Sequence, residues 1–204
     1  MISLTFFGAA GEVTGSCYRI HHATTEGSGS FLVDCGQFQG GRETYRRNLA
    51  ALDFDCRTLD FVLLTHAHLD HSGLLPRLAA LGFRGPIYAT RATIDLAKIM
   101  LLDAAHIQEK DAEFINKRKR RRNELEHTDE NHDVEPLYSI SDAEATLPLF
   151  RPVEMHKPVE IAPNLRLDTY EAGHILGSNA VYLVHKNGSE RTSLIFSGDV
   201  GRPN

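Results

Sequence analysis

Thr65-His66-Ala67-His68-Leu69-Asp70-His71 places three imidazoles and a carboxylate within six consecutive residues. The run before it, Phe61-Val62-Leu63-Leu64, is continuously apolar, as expected of a strand buried on both faces. The end of such a strand is where α/β proteins place their sites. In an extended turn His66 and His68 point the same way, because side chains alternate with period two. Asp70 and His71 come from the turn that follows and can face a second metal position. Neutral imidazole and carboxylate suit Zn2+, and Mn2+ or Fe2+ are also accommodated.

Working outward, residues 2–7, 17–22 and 31–34 read as short strands separated by Gly-rich or Ser/Thr-rich turns. Residues 41–52 look helical. A short helix at 74–81 stops at Gly82, and a strand at 87–89 follows Pro86. A long helix starts near Thr93, with Ile94, Ala97, Leu101 and Ala105 forming one apolar face. That pattern dissolves into Lys117-Arg118-Lys119-Arg120-Arg121-Arg122, and 123–135 reads as an acidic loop. Ser141-Asp142-Ala143-Glu144 has the spacing of a capping box, so a helix through Leu149 is expected. Strands return at about 165–171, 180–185 and 193–196. Strands early, helices between and strands late predict an α/β or α+β layer architecture.

Composition narrows the class. The chain has 204 residues, 42% hydrophobic and 24% charged, enough for one core. No apolar run approaches the ~20 residues that cross a bilayer, so no membrane partner is expected. The first residues, Met-Ile-Ser-Leu-Thr-Phe-Phe, lack the basic start of a signal peptide. Cys17, Cys35 and Cys56 are odd in number and none pair as C-x-x-C, which points to a reducing cytoplasm. The net charge of −5 means that any nucleic-acid contact must come from a local basic patch. Eleven histidines agree with metal chemistry.

His-x-His-x-Asp-His after an apolar strand resembles the signature of the metallo-β-lactamase superfamily. The resemblance implies an αββα sandwich with two metal ions, two Zn2+ for preference, at one edge. It implies His66, His68 and a third histidine on the first metal, Asp70 and His71 on the second, and an aspartate bridging both. Ala172-Gly173-His174-Ile175-Leu176-Gly177-Ser178 supplies His174, and Phe196-Ser197-Gly198-Asp199 supplies Asp199. Leu32-Val33-Asp34-Cys35-Gly36 resembles the family's first motif, whose aspartate supports a ligand histidine and fixes its tautomer. Taken singly, Asp34 fits a turn former, His174 a core or surface histidine, and Asp199 a loop residue. In this order behind the His66 cluster they read as one set.

The wording around these residues is similar to the β-CASP RNA-processing branch, which includes a cleavage and polyadenylation factor subunit and its bacterial and archaeal homologues. Small-molecule hydrolases of the superfamily usually read Gly-His-Thr-Pro-Gly at the third histidine, whereas this chain reads Gly-His-Ile-Leu-Gly. The stretches 8–16, 69–73 and Ala105-His106-Ile107-Gln108-Glu109 carry the same likeness. The implied activity is cleavage of RNA phosphodiester bonds by a metal-bridging hydroxide, with Asp70 orienting the nucleophile. Enzymes of this branch continue past the bridging aspartate into a β-CASP cap domain and return with a final ligand histidine. The sequence ends five residues after Asp199. Residues 1–204 are therefore expected to be the N-terminal part of a metallo-β-lactamase domain, with a helical insert at about 91–150. The sandwich is expected to be incomplete at the C-terminus, with the cap and the returning segment absent, and to be inactive alone.

Two rival functions share parts of this reading. A thioester or lactone hydrolase of the same fold would use the same cluster but fits Gly-His-Ile-Leu-Gly poorly. A non-catalytic scaffold subunit of an RNA-processing complex would typically lose ligands, and here all six positions are filled. A homodimer is left open. The basic run 117–122 reads first as a solvated helix end and second as a phosphate-contacting arm. Gly8, Gly11 and Gly15 match no phosphate-loop spacing and suggest a hairpin turn. His21, His22, His106, His127, His132, His156 and His185 lack ligand spacing and read as structural or surface residues.

Overall fold

The apolar run forms β4 (Phe61–Leu63), buried along its length. It lies parallel to β3 (Gly27–Val33) on one side and β5 (Ile87–Thr90) on the other. Around it, a computed structural model describes residues 1–24, 27–41, 43–126 and 133–202. β1 (Ile2–Phe6) and β2 (Tyr18–Thr24) add antiparallel to β3, and β6 (Phe150–Val153) adds parallel to β5. The resulting order is β1-β2-β3-β4-β5-β6. A second, antiparallel sheet has the order β10-β9-β8-β7, built from β7 (Val159–Ala162), β8 (Leu165–Glu171), β9 (Asn179–Asn187) and β10 (Glu190–Phe196).

Alternation along the strands divides the core in two. Phe31, Val33, Phe61 and Leu63 face the second sheet and meet Leu165, Leu167, Val181 and Leu183. Leu32, Val62, Leu64 and Ile87 point the other way and pack under the helical layer, with Leu75, Leu78, Ile94 and Leu101. That layer contains α1 (Thr44–Ala50), α2 (Leu69–Ser72), α3 (Leu75–Ala80), α4 (Arg91–Glu126) and α5 (Ile140–Thr146). Among the described residues the layers are therefore helix, sheet, sheet. On the second sheet's outer face Tyr170 and Ile195 stand exposed, so the sandwich is the expected mixed α/β type with its fourth layer open.

Several local expectations need correction. The basic run 117–122 is helical, as read, but the long helix continues past it through Glu126: α4 runs 36 residues, about 54 Å at 1.5 Å per residue. Its last buried residue is Ala112, yet Lys, Arg and Glu are good helix formers and carry it on without a core to face. The capping box is Ser139 with Asp142, not Ser141 with Glu144; the Asp142 carboxylate reaches back to the Ser139 N–H. β6 and β7 were not read from the sequence. Pro152 masks β6, which tolerates a proline because it is an edge strand. The expected loop at 123–135 is helical through Glu126; its residues 127–132, with His127 and His132, lie outside the described residues. No helix among the described residues is long and apolar enough to cross a membrane.

After α5's predecessor segment leaves α4, the chain is clipped back onto it. Val134 exchanges two hydrogen bonds with the Asn116 side-chain amide, at 2.8 and 2.9 Å. The Leu137 N–H donates to Gln108 and the Ile140 N–H to Glu109. The stretch 105–109, noted for its family likeness, thus anchors the returning backbone.

Candidate metal centre

β3, β4 and β5 run parallel, so their C-terminal ends share one edge, and the segment after β4 delivers the histidines there. His66 is fully buried, at the floor of the edge. His68 is the last residue before α2, and His71 lies buried within that helix. From the second sheet, the 172–178 turn between β8 and β9 brings His174, and the segment after β10 brings Asp199.

The donor atoms converge. His66 Nε2 is 3.1 Å from His68 Nδ1, which is 3.2 Å from His174 Nε2. Asp199 Oδ2 lies 3.5 Å from His174 Nε2 and 4.0 Å from His66 Nε2. One ligand atom from each of His66, His68, His174 and Asp199 lies within 4.8 Å of the others. Tetrahedral bonds of 2.0–2.2 Å would set ligand atoms about 3.3–3.6 Å apart. Asp199 also turns outward: its Oδ1 is 3.3 Å from His71 Nε2, and Asp70 Oδ2 is 4.0 Å from that same nitrogen.

The surrounding bonds set the tautomers. Asp34 sits just past β3 with φ +58°, a left-handed conformation that aspartate tolerates better than most residues. Its carboxylate accepts from the Thr65 N–H at 2.8 Å, the Thr65 hydroxyl at 2.9 Å and His71 Nδ1 at 2.7 Å. Because His71 Nδ1 carries the proton, Nε2 keeps its lone pair. With its own proton given to Asp34, the Thr65 hydroxyl can accept from His66 Nδ1 at 3.1 Å, which likewise leaves His66 Nε2 bare. Lone pairs facing one another at such range repel unless a cation lies between them, and this donor set fits a divalent ion of the Zn2+ type.

Electrostatics agree at His66, and at His71 they favour whichever cation, a proton or a metal ion, sits on Nε2. Burial, with His71, His68 and His174 around it, pushes the His66 pKa down to about 3, so the ring is neutral at neutral pH. Burial also pulls on His71, but the hydrogen bond and charge of Asp34, with Asp70 and Asp199 adding, outweigh it and raise its pKa.

All six sequence-predicted ligand positions, with Asp34, therefore meet at one edge. His21, His22, His106, His156 and His185 lie outside the converging group. Sequence reasoning missed the residues that hold the loops. Thr65 and Ser178 lay inside the quoted motifs without a role, and Asn179 carried no signal. The Ser178 hydroxyl accepts from the His174 and Ile175 N–H groups and closes the turn.

Comparison with known proteins agrees with this fold. The chain is 40% identical over 195 residues to ribonuclease TTHA0252 of Thermus thermophilus, covering 96% of this chain and 37% of that protein. It is 29% identical over 199 residues to transcription termination factor FttA of Methanocaldococcus jannaschii, covering 98% of this chain and 27% of that protein. The chain thus spans between about a quarter and two fifths of the length of these curated relatives. Both are of the β-CASP kind that the wording around His71 and His174 resembles. Among solved structures, the metallo-beta-lactamase fold protein YhfI from Bacillus subtilis matches with a TM-score of 0.49 and 18% identity, over 94% of this chain and 60% of that one. The metallo-beta-lactamase superfamily profile matches residues 10–203, nearly the whole length, and the chain belongs to that superfamily.

Proposed function

We propose that the protein to which this chain contributes is a metal-dependent ribonuclease that hydrolyses RNA phosphodiester bonds, with two Zn2+ at the edge described. The observation that carries this reading is the two-faced position of Asp199, with Oδ2 toward His174 and Oδ1 toward His71. His66, His68 and His174 would hold one ion, Asp70 and His71 would contribute to the other, and Asp199 is placed to serve both. When bound, such ions supply Lewis acidity toward phosphoryl oxygens and a water-derived nucleophile near neutral pH.

The chain's own residues do the positioning. Asp34 holds His71 through Nδ1, and Thr65 holds both Asp34 and His66. Asp70, mostly but not fully buried, presents a carboxylate that orients the attacking water. Asp199 is 46% exposed while His66 is enclosed, so the cluster opens outward, as a polymer substrate needs. Beside it, a cleft of about 460 Å³ runs past Glu12, Ser16, Tyr18 and Ser197. RNA is favoured as substrate because relatives that match over 96% and 98% of this chain are named for ribonuclease and transcription-termination roles.

The open outer face of the second sheet, and the share of its relatives that the chain spans, support a further reading of domain organisation. Residues 1–204 form the N-terminal part of the metallo-β-lactamase domain, with a helical insert at about 91–150. A cap domain and a returning segment supply the cleft's other wall and the last ligand of the second ion. Residues 1–204 alone then bind at least one ion and do not cleave RNA. Three free, buried cysteines suit a reducing, cytoplasmic setting. The test is metal analysis of the longest native form alongside cleavage of end-labelled RNA. Turnover of lactoylglutathione with intact RNA would replace this proposal with the thioester-hydrolase reading.

A further inference from the structure

The ligands arrive on two separate sheets, and something must hold those sheets in register to a fraction of an ångström. We infer that Asn179 is the positioning residue that sets the His174 loop against the His66 loop. The inference rests on the metal-binding reading above and adds a specific part to it.

Asn179 is the first residue of β9, directly after the turn that carries His174, and it is buried. Its backbone N–H donates to the Thr65 carbonyl at 3.0 Å and its side-chain Nδ2 donates to the same oxygen at 2.7 Å. Nδ2 also lies 3.4 Å from the Leu64 carbonyl. Two donors on one carbonyl use both of its lone pairs and leave little freedom to slide or rotate. Because Nδ2 faces two carbonyl oxygens, the amide orientation is assigned by its partners.

Thr65 is the residue on which the rest of the site depends. Its N–H and hydroxyl hold Asp34, and its hydroxyl touches His66. Gly198, just before Asp199, packs so closely on the Thr65 side chain that a Cβ there would come within 2.9 Å of it. Gly201 then bonds to the Ala172 carbonyl, joining the Asp199 segment to the His174 turn. Asn179 therefore connects the second-sheet ligands to the one residue that already organises the first-sheet ligands.

The other half of the Asn179 amide argues that this residue is not there for stability alone. Its Oδ1 is buried and has no hydrogen-bond partner among the described residues. A buried, unpaired acceptor is unfavourable, and an apolar side chain of similar volume would avoid it. What an apolar side chain could not provide is the Nδ2 donor. The His174 turn is also gripped from its far side, where the Thr90 and Thr93 hydroxyls donate to the Gly177 carbonyl at 2.8 and 2.9 Å. Removing the Asn179 side chain therefore leaves the turn attached and folded, but held to Thr65 by the backbone N–H bond alone, around which it can rotate.

The experiment uses the full-length protein and two variants, Asn179→Ala and Asn179→Leu, the second of which removes donor and orphan acceptor together while keeping volume. Metal affinity is read by chelator competition with Zn2+, and ligand geometry by the visible ligand-field bands of the Co2+-substituted protein. Both variants are expected to fold and to hold the ion 10–100-fold more weakly, the range typical of residues that orient ligands, with altered Co2+ bands. Thr93→Val, which loosens the same turn without touching Thr65, should have a smaller effect. Wild-type affinity and bands in both variants would overturn the assignment, whatever their melting temperatures. Failure of both variants to fold would also overturn it, by making the residue structural. A wild-type protein that binds no divalent ion would remove the metal reading itself, and the inference with it.

Discussion

His71 and Asp34 are joined by a 2.7 Å hydrogen bond from Nδ1 to Oδ2, and the same carboxylate receives both donors of Thr65. The bond ties the end of β3 to α2 and aims His71 Nε2 at Asp199. Asp34→Ala should weaken metal binding about 10–100-fold. It should also destabilise the fold by about 1–3 kcal/mol, since the buried Thr65 N–H loses its acceptor. Chelator competition and urea unfolding measure the two effects; an unchanged affinity would show that His71 does not depend on Asp34.

Chelation should lower the melting temperature, and added Zn2+ should restore it. An ion present at 100 times its dissociation constant stabilises by about 2.7 kcal/mol. His68→Ala should abolish most of this difference, because its Nδ1 faces both His66 and His174. A melting temperature indifferent to chelator would speak against the cluster as a metal site.

Acid should loosen the end of the sandwich away from the metal edge. His22 and His185 are buried with rings 5.9 Å apart, and His22 Nδ1 and His185 Nε2 lack hydrogen-bond partners among the described residues. Burial lowers both pKa values below 6.5; for His22 the neighbouring His185 adds to this and Asp60 opposes it. Above 6.5 both rings are neutral in the folded and the unfolded chain, so they cost nothing. As pH falls through 6.5 the unfolded chain takes up protons first, and stability declines until the folded pKa values are reached. Urea unfolding between pH 7.5 and 5 should show a smaller decline in His22→Leu/His185→Leu than in the wild type. Identical slopes would count against the pair as the source.

Neutralising Lys117, Arg118 and Arg121 should leave RNA affinity and its salt dependence unchanged. These side chains are exposed on α4 beyond Ala112, and Arg120 between them already pairs with Asp133 at 2.7 Å. If the run does contact single-stranded RNA, each lost phosphate contact would reduce the log–log salt slope by about 0.7. Binding titrations at several salt concentrations decide between the two.

Gly36 approaches the turn after His68 so closely that a Cβ would lie 1.7 Å from the Asp70 carbonyl. Gly36→Ala should therefore displace Asp70 and His71 and lower both stability and metal binding. Wild-type behaviour would mean that this backbone contact is dispensable.

How much of this could be read from residues alone follows from what leaves a pattern. His66, His68, Asp70 and His71 were legible because ligands close in sequence create a spacing, and the strand before them because it is continuously apolar. His174 and Asp199 have no such neighbours and became legible only through family wording. Thr65 and Asn179 were silent, since a hydroxyl and an amide act here by geometry that spans more than a hundred residues. The length of α4 was underestimated because periodicity reports burial, and the helix outlasts its buried face. β6 was hidden by Pro152, which argues against a strand unless the strand is known to lie at an edge.

The pairing of His68 with His174 has a consequence for how the chain folds. The two residues are 106 apart in sequence, one following a strand of each sheet. An ion shared by them closes a loop of that length, as a cross-link would. By the loop-entropy relation used for disulfides, closing about 100 residues is worth roughly 4.7 kcal/mol, taken from the freedom of the unfolded chain. The ion would then act least where structure is local, in α4 and its returning segment. It would act most on the docking of the second sheet onto the first, the long-range step that topology already makes slow.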